Sequence, residues 1–367
     1  MKLGELFCGP GGISLGAHLA SEELEREGLA RVEHGWAVDY HEATVQTFIK
    51  NIPGASDASV LCMDVRDLRV EKDLAPISNI DLFAYGFPCN DFSLAGEQKG
   101  FGGEFGPLYR YGLDVLQYFK PKAFIAENVG GLRSANKGKA LRKIVDDLHS
   151  CGYNITPHYY KFEEYGVPQC RHRVVIVGVR SDLINSTFRV PAPTHRVFVS
   201  AREALEGKPI ERNAPNHEYT KQSDLVRRRL SHIGWGENAW SQSIPKNLRL
   251  NVKGAKLSNI YRRLHPEQPS YTITGSGGGG THVYHWDEPR ALTNRERARI
   301  QTFPDGFVFE GQKEEVRRQI GMAVPPVGAA QIVKALVRSL SGVHYPFIES
   351  NLEQYCIAPE AQHGLAF

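Results

Sequence analysis

The sequence predicts an open α/β sheet with a second, less regular module inserted late in the chain. Three observations carry this. Short apolar runs alternate with helix-period segments from residue 2 to about residue 190, the pattern of successive strand–helix–strand units. Chemically capable residues stand directly after several of the apolar runs, where open α/β sheets gather their ligands. From about residue 191 the periodicity fails, and Pro, Asn, Ser, Trp and basic residues mix until a helical pattern returns at Asn294.

The elements follow in order. Lys2–Phe7 reads as the first strand, closed by a glycine-rich turn, and Ile13–Ala20 as the first helix. Glu33–Val38 is a second strand and Glu42–Ile49 a second helix, with Val45, Phe48 and Ile49 on one face. Ser59–Cys62 and Ile80–Tyr85 are further strands, the latter apolar enough to be buried on both sides. Tyr111–Phe119 is a helix and Ala123–Ala126 a strand. Lys139–Ser150 has the clearest helical stripe, Leu141, Ile144, Val145 and Leu148. Tyr153–Phe162 and Arg173–Val179 complete the strands, and Asn294–Thr302 and Gly328–Ser339 are late helices. The run Gly275–Gly280 is the strongest flexible segment. Residues 342–367 carry no readable pattern, and no internal repeat is present.

At 367 residues the chain exceeds the usual size of one compact domain. A hydrophobic fraction of 41% and a charged fraction of 23% exclude disordered and fibrous classes. No apolar run approaches a membrane span, and the N-terminus lacks a signal-peptide profile. The six cysteines have no framework spacing, so reduced thiols in a cytoplasmic protein are expected. Cys170 and His172 match no zinc pattern, and no metal is expected. The net charge of +3 is unevenly spread: residues 191–265 carry 14 Lys and Arg against 6 Asp and Glu, leaving −5 for the remainder. Such local excess points to a polyanion, nucleic acid foremost.

The turn Phe7-Cys8-Gly9-Pro10-Gly11-Gly12 lets the backbone approach a ligand closely. It lacks the third glycine of the dinucleotide fingerprint, which excludes a nicotinamide oxidoreductase, and it lacks the Gly-Lys-Ser/Thr of a phosphate loop. Asp39 ends the second strand and can accept from both ribose hydroxyls, while Tyr40 can stack on a base. Asp64 ends the third and can accept from an adenine amino group. Together they suit an adenosine moiety without a pyrophosphate.

Cys89 follows the strand Ile80–Tyr85, and Glu127-Asn128-Val129 follows Ala123–Ala126. A nucleophile and a carboxylate at neighbouring strand ends suggest covalent chemistry on a base or another activated ring. Residues 94–107 contain five glycines and read as a mobile lid.

Phe7-x-Gly9-x-Gly11-Gly12, Pro88-Cys89, Glu127-Asn128-Val129, Gln169-x-Arg171-x-Arg173 and Gly321-Met322-Ala323-Val324-Pro325 occur in this order. The ordered set resembles the motifs of cytosine carbon-5 DNA methyltransferases, especially the bacterial restriction–modification type, over roughly residues 3–180 and 261–340. Two positions depart from that family's usual pattern: Asn90 stands where Gln is usual, and Met322 where Asn is usual.

The resemblance implies a Rossmann-like S-adenosylmethionine-dependent methyltransferase fold with an inserted small, mainly β or irregular target-recognition domain. The expected division is a catalytic and cofactor-binding domain at 1–190, a recognition domain with hinge at 191–310, and a segment returning to the first domain at 311–367. Cys89 is expected to add to carbon 6 of a flipped-out cytosine, with Glu127 at ring nitrogen 3 and the amino group, Arg171 at the carbonyl oxygen and Arg173 in support. S-adenosyl-L-methionine, leaving as S-adenosyl-L-homocysteine, is expected at Phe7, Gly9, Gly11, Gly12, Asp39, Tyr40, Asp64, Val65, Pro88, Leu108 and Val324. Double-stranded DNA is expected at Ser93, Gln98, Arg227, Arg228 and Arg229. The resemblance further implies a monomer in the bacterial cytoplasm, associated with the nucleoid through DNA, with a cognate restriction endonuclease that shares its site. Two other readings stay open: methylation of cytosine in transfer RNA, and a catalytically silent DNA-binding regulator.

Overall fold

The computed structural model describes residues 1–87, 108–184, 186–251, 257–276 and 278–357. Pro88, Cys89, Ser93, Gln98 and the expected lid at 94–107 lie outside the described residues. The chain divides into two compact units. The first is Met1–Lys161, His172–Ala192 and Ala329–Phe367, and the second is Phe162–Arg171 and Pro193–Gly328. This division departs from the expected one at two places. The second unit takes the short piece Phe162–Arg171 and runs on to Gly328 rather than ending at 310.

Strands β1 (Lys2–Leu6), β2 (Glu33–Asp39), β3 (Val60–Cys62), β4 (Leu82–Tyr85), β5 (Ala123–Val129) and β6 (Tyr153–Lys161) belong to the first unit. The two-residue β7 (Gln169–Cys170) lies in the second, and β8 (His172–Arg180) returns to the first. The sheet order is β3-β2-β1-β4-β5-β8-β6. Strands β1 to β5 run parallel, whereas β8 is antiparallel to both neighbours. The order reverses between β1 and β4. Open α/β sheets bind their ligands beyond the carboxyl ends of the strands at such a switch point.

Helices α1 (Gly12–Arg26), α2 (Glu42–Asn51), α3 (Tyr109–Phe119) and α4 (Lys139–Ser150) pack on this sheet. Its core joins Trp36, Phe83, Tyr85 and Phe124 to Val115 and Leu116 of α3 and to the Leu141–Leu148 stripe of α4. The short strands β9 (Val190–Pro191), β10 (Ser270–Tyr271) and β11 (Phe347–Ile348) form two small pairings, β9 with β11 and β10 with β7.

In the second unit lie α5 (Ala201–Glu206), α6 (Asp224–Leu230), α7 (Asn294–Ile300) and α8 (Lys313–Met322), and α9 (Pro326–Leu340) runs from it into the first. The stretch Lys313–Leu340 holds an apolar window long enough by composition alone to cross a membrane. The window is 72% buried inside the protein, and the chain breaks between α8 and α9 at Ala323-Val324-Pro325. Pro326 opens α9, the first helical position where its missing N–H costs nothing.

Candidate active site

The glycine turn leaves β1 through a left-handed residue, Phe7 at φ 53°, a conformation that costs a bulky side chain energy and marks functional loops. Gly9 (φ 55°) and Gly11 (φ 93°) share the left-handed region, and Gly11 caps the N-terminus of α1. A side chain at Gly11 would meet Phe48 and Ile52 at about 3 Å, whereas nothing lies within 4 Å of one at Gly9. The turn is therefore packed against α2 below and open above Gly9, where a ligand can lie against the backbone.

Asp39 holds this turn. Its carboxylate accepts from the Gly9 amide at 3.0 Å and the His41 amide at 3.1 Å. Tyr40 is 66% exposed, and its ring is accessible for stacking. Asp64 is already engaged by Arg66, which donates from Nη2 at 2.6 Å and from Nε at 3.0 Å and holds the carboxyl below its ordinary range. Val65 and Leu108 are buried in the core with Phe87. These residues fit the adenosine end of S-adenosylmethionine: an open glycine turn, a carboxylate that organises it and an exposed ring at adjacent strand ends.

Glu5 was not among the expected site residues. It is 2% exposed on β1, and Ser14 Oγ of α1 donates to its Oε2 at 2.5 Å. Burial, with Asp39 adding negative charge, pushes its carboxyl up to about 8. The available signal was a lone acid inside an apolar strand, two residues before the turn.

Glu127 stands at the carboxyl end of β5. Register pairs Glu127 with Val175 and Val129 with Arg173, so Glu127 and Arg173 are diagonal neighbours on antiparallel strands. Arg173 Nε donates to Glu127 Oε1 at 2.9 Å, with both side chains only 13–14% exposed. A side chain added at Gly86 would lie 3.4 Å from Glu127 Oε2, so Gly86, directly after β4, lies beside this carboxylate. Asn128, 2% exposed, donates from Nδ2 to the Phe87 carbonyl at 3.3 Å and anchors the residue before Pro88. The other cysteines offer no activated thiol. Cys8, Cys62, Cys151, Cys170 and Cys356 are all pushed up by burial, Cys62 to about 11.

A family model described as C-5 cytosine-specific DNA methylase matches residues 1–338. The chain belongs to the C-5 cytosine-specific DNA methylase family. It is 54% identical to the type II methyltransferase M.BbvI of Brevibacillus brevis, over 98% of this chain and 96% of that one. It is 43% identical to M.NgoFVII of Neisseria gonorrhoeae, over 92% and 86% respectively. The solved structure of a prophage-encoded candidate DNA modification methyltransferase from E. coli matches with a TM-score of 0.72 at 24% identity, covering 93% of this chain and 99% of that one. Dnmt2 methyltransferase of S. pombe matches at 0.60 and 16%, covering 92% and 98%. Both share the methyltransferase fold.

Within this methylase the two arginines of Gln169-x-Arg171-x-Arg173 part company. Arg171, expected at the base, is 1% exposed in the second unit, and its Nη1 and Nη2 donate to the carbonyls of Ile273 and Gly321, each at 3.1 Å. Arg173, expected in support, holds Glu127. The unit boundary falls between Arg171 and His172, and Arg173 lies on β8 whereas Arg171 precedes that strand.

Arg229 corrects a second expectation. It is 6% exposed, donates from Nε to the Leu248 carbonyl at 2.6 Å and lies over the Tyr261 ring. Arg263 likewise donates to the carbonyls of His285, Leu230, Ile233 and Glu288. Part of the basic excess therefore staples loops rather than facing solvent, whereas Arg227 and Arg228 are exposed. Val324 lies in the bend between α8 and α9, in the second unit.

Proposed function

We propose that this methylase is the modification enzyme of a type II restriction–modification system. It would transfer a methyl group to carbon 5 of one cytosine in a specific duplex site. The observation that carries the reading is Glu127, paired with Arg173 and lying beside Gly86, three residues before Cys89. The identity to M.BbvI over nearly the whole of both chains supports the type II class.

The chemistry follows from the residues. Carbon 5 of cytosine is a poor nucleophile. Addition of the Cys89 thiolate to carbon 6 forms a carbon–sulfur bond and shifts electron density to carbon 5, the division of one hard step that covalent catalysis provides. Glu127 delivers a proton to ring nitrogen 3 and accepts from the exocyclic amino group. Arg173, held by that carboxylate, faces the base carbonyl, the role first assigned to Arg171. S-adenosylmethionine supplies an electrophilic methyl group at carbon 5, held by Phe7, Gly9, Gly11, Gly12, Asp39 and Tyr40. Loss of the carbon-5 proton to a base then expels the thiolate and restores the ring. The base must first be flipped out of the duplex, and exposed Arg227 and Arg228 serve as phosphate anchors for that duplex. The enzyme works on DNA in the cytoplasm as a monomer, beside an endonuclease that cuts the same unmethylated site.

The test is a covalent trap. Wild-type protein is expected to form a denaturation-resistant adduct with duplex DNA carrying 5-fluorocytosine at the target, and Cys89→Ala to bind that DNA without adduct or methyl transfer. Methyl transfer by purified Cys89→Ala would refute the nucleophile. Transfer to RNA in preference to duplex DNA would favour the transfer RNA reading.

A further inference from the structure

A buried polar cluster in the second unit joins four separate stretches of the sequence. Gln169 and Gln301 are fully buried, and Gln169 Nε2 donates to Gln301 Oε1 at 2.5 Å. Gln169 Oε1 accepts from the Ile273 amide at 2.9 Å, and Gln301 Nε2 donates to the Ala323 carbonyl at 2.6 Å. Arg171 spans the same two segments, donating to Ile273 and to Gly321. Thr272 Oγ1 adds a bond to the Cys170 carbonyl at 2.6 Å.

The backbones so joined are in direct contact. A side chain at Gly321 would come within 2.2 Å of Gly275 N and of the Thr274 carbonyl carbon. A side chain at Gly275 would come within 2.8 Å of Met322 Cγ and 3.1 Å of the Arg318 carbonyl. Met322, 64% exposed, therefore covers Gly275 from outside. On the outer side Thr274, Ser276 and Arg318 are exposed, while Ile273 points inward at 0% exposure. Two hydroxyls and a guanidinium on a fixed backbone suit phosphate and base edges.

We propose that Gln169, Arg171 and Gln301 are positioning residues, a clamp that fixes Thr272–Gly275 against Gly321–Ala323 and so presents the outer face of that segment to DNA, with Met322 as its outer jaw. This rests on the reading of the second unit as the DNA-recognising part. A bidentate fork is what the arrangement needs at position 171, because one planar group reaches two carbonyls of different segments, and lysine cannot reproduce it. A segment ordered before DNA arrives spares the ordering cost at binding, so the clamp acts on affinity and site choice. Met322 stands where the resembled family usually has Asn.

The experiment uses the full chain. Bisulfite sequencing of plasmid DNA identifies the methylated site for wild type, and that site is placed in a duplex with 5-fluorocytosine at the target. Arg171→Lys and Gln301→Met are expected to raise KM for DNA at least tenfold, to relax site discrimination and to change the affinity for S-adenosylmethionine less than threefold. A hundredfold loss of adduct rate at saturating DNA with unchanged KM would overturn the clamp and return Arg171 to the base. Met322→Ala, which trims a 64% exposed side chain and leaves the buried hydrogen bonds in place, guards against misfolding of the other two. It is expected to lower site discrimination severalfold with the same unfolding temperature, and unchanged discrimination would overturn the jaw. Absence of a wild-type adduct would sink the functional reading itself, whereas a wild-type adduct with indifferent variants would sink the clamp alone.

Discussion

Glu127 and Glu5 are two carboxyl groups on one sheet with opposite surroundings. Glu127 has an arginine 2.9 Å away, and Glu5 has a serine and burial. Glu127→Gln keeps the shape and removes the transferable proton. Single-turnover methylation should slow by about 10² or more, the usual worth of a positioned acid–base group, with affinity for S-adenosylmethionine nearly unchanged; equal rates in rapid quench would remove Glu127 from the chemistry. For Glu5 the folded value, about 8, lies above the ordinary 4.5. The fold therefore binds this proton more tightly than the unfolded chain does. Its contribution to stability is complete below about pH 4.5 and is lost as pH rises toward 8. Glu5→Gln should flatten that part of the unfolding temperature against pH, and an unaltered profile would contradict the burial argument. Arg173 and Arg171 show what spacing hides. The sequence reading set Arg171 at the base and Arg173 in support, but the chain passes from one unit to the other between them, and Arg173 is the one paired with Glu127.

At the scale of elements, α9 joins the first unit through ion pairs with α1. Lys334 meets Glu23 at 2.6 Å, and Arg338 meets Glu23 at 3.0 Å and also Glu27. These pairs hold the carboxyl groups of Glu23 and Glu27 low, chiefly through hydrogen bonds from Lys334 and Arg338 respectively. Glu23 remains 42% exposed, so screening limits the effect. Lys334→Met should cost about 0.5–1 kcal/mol in low salt and less in high salt, read by urea unfolding at two ionic strengths. Helix α9 was legible from its apolar period. Helix α8 was not, because only Val316 and Ile320 mark its buried apolar face and its start rests on a capping box between Gln312 and Glu315. Helices α5 and α6 were missed because each is short and begins on a serine cap rather than an apolar stripe. The C-terminal segment, unreadable in sequence, covers the outer edge of β6. Asn351 bonds both the amide and the carbonyl of Tyr159, and Ile357 bridges Ile155. An edge strand left open invites pairing with other chains, and nothing in the local sequence announces which segment will cover it.

At the scale of the whole molecule, charge separates into two kinds. Arg227→Ala and Arg228→Ala should each lower the salt slope of DNA binding by about one counterion, weakening all sequences alike. Arg229→Ala should instead lower the unfolding temperature, because it frees the Leu248 carbonyl and uncovers Tyr261. Equal salt slopes for all three variants would show that position in sequence, not burial, decides their role. By itself the sequence determined the order of motifs, the alternation of strands and helices, the glycine turn and the family, because apolar period and strand-end chemistry are local properties of the chain. Only the tertiary structure decided which arginine meets Glu127, which basic residues are staples, how residues 342–357 cover the sheet edge and why Gly275 and Gly321 must be glycines. Those are contacts between segments up to some two hundred residues apart. They depend on side-chain reach and close approach of backbones, which no local pattern encodes.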